Sequence, residues 1–164
     1  MKGWHTYATS KHVSVIDRTP TAIELGASSI RPLVRSEATA GRISILEYGA
    51  SERFTGPPLH VHPDYDEVFY VLEGTALLSY DGARVEATAR EGVYVPGTSP
   101  HTFGNPGDAP LRMLIVVTPG GVERFFEEYA ALGGVGVADP ADVEALWSKY
   151  GMSAALGSEP VGTE

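Results

Sequence analysis

The chain of 164 residues contains no cysteine. Disulfides and thiolate metal ligands are thereby excluded, and any ion held here must be bound through nitrogen and oxygen. Basic residues are also few, with 12 Lys and Arg against 21 Asp and Glu for a formal net charge of −9, and they gather into no patch. Nucleic acid and anionic membrane surfaces need such patches, and no helix-turn-helix or basic region is present, so neither is an expected partner. No run approaches the ~20 apolar residues of a membrane span, and the start, Met1-Lys2-Gly3-Trp4, shows no signal-peptide core. A soluble, cytoplasmic protein is the expectation. What is abundant is apolar surface: 43% of residues are hydrophobic, enough for one substantial core in one domain.

Of the five histidines, two stand as His60-Val61-His62, with Glu67 shortly after and His101 further on. In a strand, residues i and i+2 share a face, so both imidazoles can reach one ion, whereas on a helix they would diverge by roughly 200°. Pro57, Pro58 and Pro63 agree with an extended segment. Pro63-Asp64-Tyr65-Asp66 supplies turn residues before a second extended run beginning at Glu67, which can then sit across a hairpin from the two histidines. Two imidazoles and a carboxylate leave coordination positions open on a divalent first-row metal, and His101 would make a fourth ligand. His5 and His12 lie apart from this pattern and are not expected to bind metal.

The segment from Gly56 through Glu67, with Gly74 seven residues beyond Glu67, resembles the first motif of the cupin superfamily. Pro96 to Asn105 is similar to its second motif, with proline five residues before His101 and asparagine four after it. The resemblance covers roughly residues 40 to 118 and implies that His60, His62, Glu67 and His101 are the metal ligands. Phe54, Arg90 and Thr98 stand where the family usually has glycine. Asn105 is expected to support the second-motif loop by hydrogen bonding rather than to bind metal.

Strand-like runs recur at short intervals, at 21–25, 30–35, 42–48, 59–62, 67–72, 75–80, 84–88, 93–96, 101–105 and 111–118. With glycine-containing turns between them they predict an antiparallel sandwich or barrel. The resemblance implies the all-β cupin double-stranded β-helix, a jelly-roll barrel. His-x-His occurs once, so a single-cupin chain is expected. After Pro119-Gly120-Gly121 the apolar period lengthens: Val122, Phe125, Phe126, Tyr129 and Leu132 predict an amphipathic helix. Asp139 as N-cap and Pro140 at the first helical position announce a second, with Val143, Leu146, Trp147 and Tyr150 on its apolar face. These aromatic stripes either pack on the barrel, close its mouth or form a dimer interface. The expected organisation is thus N-terminal strands packing on the barrel at 1–39, a barrel core at 40–118, C-terminal helices at 119–151 and a weakly ordered tail at 152–164.

The passage from the last strand into an aromatic helix resembles single-cupin, quercetinase-like proteins. That resemblance implies a non-haem dioxygenase-type oxidoreductase acting on a phenolic, enolic or polyketide-like molecule, with Glu67 as the catalytic base. A divalent transition metal would be the cofactor, with Fe, Mn or Ni suited to oxygenase chemistry and Co, Cu or Zn also accepted by such ligands. The alternatives are a non-redox cyclase, isomerase, lyase or decarboxylase, or a binding cupin without turnover. The expected partner is a small organic substrate, with homodimerisation left open. Strand parity predicts an aromatic, apolar interior from Phe69, Val71 and Phe103, and Tyr65 beside the cluster is a candidate proton donor.

Overall fold

The computed structural model describes residues 20–155. His5, His12, residues 1–19 of the N-terminal segment and residues 156–164 of the expected tail lie outside it.

Eleven strands form two antiparallel sheets among the described residues. In the six-stranded sheet the order is β1 (Ile23–Glu24), β2 (Ser28–Val34), β3 (Ser44–Ala50), β10 (Leu111–Thr118), β5 (Asp66–Glu73) and β8 (Gly92–Val95). In the five-stranded sheet it is β11 (Ser153–Ala154), β4 (His60–Val61), β9 (His101–Gly104), β6 (Thr75–Tyr80) and β7 (Ala83–Thr88). This is an all-β jelly roll, with α1 (Glu123–Ala131) and α2 (Pro140–Lys149) following the last long strand.

The period-two pattern explains which face each strand buries. Along β3 the residues Ser44, Leu46, Tyr48 and Ala50 are buried while their neighbours are only half covered, and β10 alternates likewise through Leu111, Met113, Ile115 and Val117. Phe69 and Val71 of β5 and Phe103 of β9 point into the core between the sheets, as parity predicts. β2 and β3 pair over most of their length, so the N-terminal strands continue the six-stranded sheet.

Asp139 caps α2 by accepting the Ala141 N–H at 2.8 Å, with Pro140 filling the first position, whose N–H would have no helical partner. Helix α1 is anchored differently. Glu123, in its first turn, is fully buried: one carboxylate oxygen accepts the Ser36 N–H at 2.7 Å and the other the Ser44 hydroxyl at 2.6 Å. The same Ser44 oxygen accepts the Gly121 N–H at 2.9 Å, so the entry to α1 is tied to β3. These hydrogen bonds outweigh the cost of burial and hold the Glu123 carboxyl below the usual range.

Two local features depart from the sequence reading. Residues 152–155, assigned there to the tail, run against the barrel: Met152 is buried, and Ser153 and Ala154 pair with Val61 and His60. Leu132, placed there on the apolar face of α1, is 37% exposed because the helix ends at Ala131 and the chain turns away.

Candidate metal centre

His60 lies on β4, opposite His101 of β9 in the five-stranded sheet, while Glu67 projects from β5 of the facing sheet. His62 follows β4 directly, its N–H donated to the Gly97 carbonyl at 3.0 Å. The cluster therefore bridges the two layers. Gly97 is required there: a Cβ would come within 2.0 Å of the Tyr65 carbonyl oxygen and 2.4 Å of that of His62. Gly56, at φ 81°, is still more confined, since a Cβ would lie 1.6 Å from the Phe103 carbonyl oxygen.

The three histidines are buried, and their ligand nitrogens all lie within 4.8 Å of one another. Each ring is oriented by a backbone carbonyl: Nδ1 contacts Pro58 O at 2.9 Å in His60, Tyr65 O at 2.8 Å in His62 and Ser99 O at 2.9 Å in His101. A carbonyl only accepts, so each Nδ1 carries a proton, which leaves Nε2 as the ligand atom of each ring. Nε2 of His62 and of His101 stand 3.1 Å apart, and each is 3.2 Å from the same Glu67 oxygen. Three electron-rich atoms this close repel unless protons or a cation lie between them. A borderline divalent ion suits imidazole nitrogens and a carboxylate oxygen, so the donor set fits the metal that the sequence motif implies.

The electrostatics point the same way. Burial, with the neighbouring His101 ring, lowers the His60 pKa to about 4, which keeps its imidazole neutral and available. Burial alone would push Glu67 up, but its contacts with His101 and His62 bring it down to about 2, so it remains a carboxylate. Burial likewise opposes protonation of His62, and the adjacent Glu67 outweighs it and raises the imidazole.

His60 and Glu67 form part of the floor of a cavity of about 530 Å³. Tyr48, Phe54 and Phe103 contribute the barrel side of its wall, and Phe125, Tyr129 and Trp147 the helical side. Side chains of α1 and α2 thus line the same cavity as the barrel aromatics. Phe54, standing where a glycine is usual, is one of these wall residues. Tyr65 lines the cavity too, its ring stacked on His62 with centroids 4.0 Å apart and planes 6° from parallel. Burial, Glu67 and Asp64 hold its phenol well above the ordinary value, so it stays protonated. Asn105 donates to the Ser51 and Ala109 carbonyls at 2.8 Å each and accepts the Gly107 N–H at 3.0 Å, fastening the loops behind β9. Trp147, which the sequence places on the apolar face of α2 without placing it beside the histidines, has its ring 5.5 Å from that of His60, a proximity that follows only from the path of the chain after α1.

A two-sheet jelly roll with an inward-facing cluster of three histidines and a glutamate defines a class of small barrel proteins. Residues 51–117, the segment that holds all four residues of the cluster, match the cupin domain family model, and the two-sheet jelly roll around them is a cupin fold. An uncharacterized protein of Methanocaldococcus jannaschii is 34% identical over 61 residues, 37% of this chain and 49% of that protein. The polyketide synthase CurC of Streptomyces cyaneus is 32% identical over 82 residues, 50% of this chain and 51% of that one. This chain therefore spans about half the length of the relatives it matches. Among solved structures, KdgF from Halomonas sp. aligns with a TM-score of 0.61 at 10% identity, covering 69% of this chain and 99% of that one, a likeness of fold. No helix among the described residues is long and apolar enough to cross a membrane.

Proposed function

We propose that this chain is a metal-dependent cupin enzyme acting on a phenolic, enolic or polyketide-like small molecule, as a dioxygenase-type oxidoreductase using Fe, Mn or Ni. One observation carries the reading: three histidine ring nitrogens within 4.8 Å of one another stand beside the Glu67 carboxylate, and two members of this group, His60 and Glu67, line an aromatic cavity. His60, His62, His101 and Glu67 would hold the ion. When bound, it would supply Lewis acidity, favouring loss of a proton from a substrate hydroxyl and tolerating the resulting anion.

The residues themselves account for the remainder. Glu67, a carboxylate 3.2 Å from the Nε2 atoms of His62 and His101, is the base placed to take that proton, and it lines the cavity beside His60. The three backbone carbonyls fix ring orientation, so no reorganisation is needed when substrate arrives. The apolar walls exclude water and suit the carbon skeleton of a planar substrate.

A second reading, a non-redox cyclase, isomerase, lyase or decarboxylase at the same residues, is supported by the likeness to the Streptomyces polyketide synthase protein. Dioxygen uptake separates the two. Protein loaded in turn with iron, manganese and nickel is given phenolic and enolic substrates in air and under argon. Consumption of dioxygen with product formation supports the oxygenase. Equal conversion under argon assigns the non-redox chemistry, and no conversion in either atmosphere across the panel refutes both and leaves a binding cupin.

A further inference from the structure

We propose that Trp147 is a specificity-determining residue, whose indole forms the wall on which the ring system of a fused-ring substrate stacks while its hydroxylated edge meets the histidine cluster. The inference rests on the cavity being the substrate site of the enzyme proposed above.

Trp147 is held relative to the cluster by more than its own helix. The chain leaves α2 and turns back, with the Met152 N–H donated to the Trp147 carbonyl at 2.9 Å. It then pairs, as β11, with β4: Ala154 lies opposite His60, and the Ala155 N–H reaches the Leu59 carbonyl at 3.0 Å. The strand that carries His60 is thus gripped by the segment that carries Trp147. Their rings, 5.5 Å apart and inclined at 57°, meet at the cavity floor, so the indole has a set position beside the candidate metal centre. Val143, one turn earlier on α2, lines the same wall. Phe125, also in the lining, stacks on Tyr129, at 5.7 Å and 18°, and meets Tyr150 edge-on at 5.8 Å and 75°. That packing braces the helical side of the cavity.

The chemistry of the lining selects the class of ligand. The cationic side chain lining the cavity is Arg53, which is 67% exposed and already donates to Asp108. Away from the candidate metal centre a phosphate or polycarboxylate would find no buried cationic side chain in the lining, and a sugar would leave hydroxyls facing aromatic walls. A flat, fused-ring phenol or enol loses little, because its polar edge meets the histidines and its faces meet Trp147 and the barrel aromatics. A cavity of about 530 Å³ accommodates several fused rings, where a single ring would leave most of the wall untouched.

The test uses two probes, 1,2-dihydroxyanthraquinone with three fused rings and catechol with one, titrated by absorbance into zinc-loaded and metal-free protein. Zinc is redox-inert, so binding is read without turnover. The wild-type protein is expected to prefer the three-ring probe by about tenfold or more. Trp147→Ala should remove most of that preference while changing catechol binding less than about threefold, and Trp147→Phe should restore it in part. Retention of the preference in Trp147→Ala, or an equal loss for both probes, overturns the proposal. Should Trp147→Ala fail to fold, Val143→Trp decides: filling the wall must penalise the three-ring probe and spare catechol, and an unchanged preference overturns it. The metal arm keeps the two ideas apart. A preference that depends on Trp147 with or without zinc upholds the wall and contradicts the metal reading. Zinc-dependent binding indifferent to Trp147 does the reverse.

Discussion

Replacing Glu123 by glutamine should destabilise the fold by about 2–3 kcal/mol near neutral pH, and the penalty should fade in acid. The wild-type carboxylate accepts two hydrogen bonds in a fully buried position, from the Ser36 N–H and the Ser44 hydroxyl. A glutamine has one accepting oxygen. Placed toward either donor, its amide nitrogen faces the other, so one charge-assisted bond is lost, and such bonds contribute ~1.5–3 kcal/mol. Because the folded pKa is depressed, the carboxylate's contribution is fully present above the unfolded value of ~4.3 and is lost as pH falls through the folded value. Urea titrations from pH 3.5 to 8 measure this directly. The two proteins should differ by about 2–3 kcal/mol at pH 7, with a melting temperature lower by roughly 5–10 °C, and should converge toward the acid limit. Stabilities within ~0.5 kcal/mol at pH 7, or a gap that ignores pH, would refute the argument. Since α1 carries Phe125 and Tyr129 into the cavity wall, probe binding should weaken in the same variant.

Four further substitutions test other parts of the account. His60→Ala and His101→Ala each remove one inward imidazole rather than a core hydrophobe, so elemental analysis should find at least about tenfold weaker metal retention with circular dichroism unchanged. Gly97→Ala should displace the turn at His62, since its Cβ overlaps two carbonyl oxygens, and should cost both metal affinity and about 2–4 kcal/mol of stability by urea titration. Arg90 adopts φ 77° where the family usually has glycine, so Arg90→Gly should stabilise the fold by ~0.5–1 kcal/mol in the same assay.

Much of this was legible before the fold was known. The alternation in β3, β5 and β10 is visible in the residues because each strand has one buried face, and the intervals 75–80 and 111–118 match the observed strands residue for residue. The histidine cluster was legible for a local reason: His60 and His62 share a face through strand parity. The C-terminal part was less so. An amphipathic stripe says which face of a helix is buried, not what buries it, so the apposition of Trp147 and His60 is a tertiary fact. Ser153 and Ala154 carry no period to read, and their pairing with β4 depends on where α2 ends. Nothing in the residues around Glu123 announces its burial, because its partners Ser36 and Ser44 are distant in sequence and meet it only in the folded chain.

The most direct test of the central claim is the metal content of protein purified without chelators or an imidazole-dependent tag. Close to one equivalent of iron, manganese or nickel per chain, falling to a small fraction in His60→Ala and His101→Ala, is the predicted result. A wild-type chain that is metal-free and takes up none of these ions on reconstitution would contradict it.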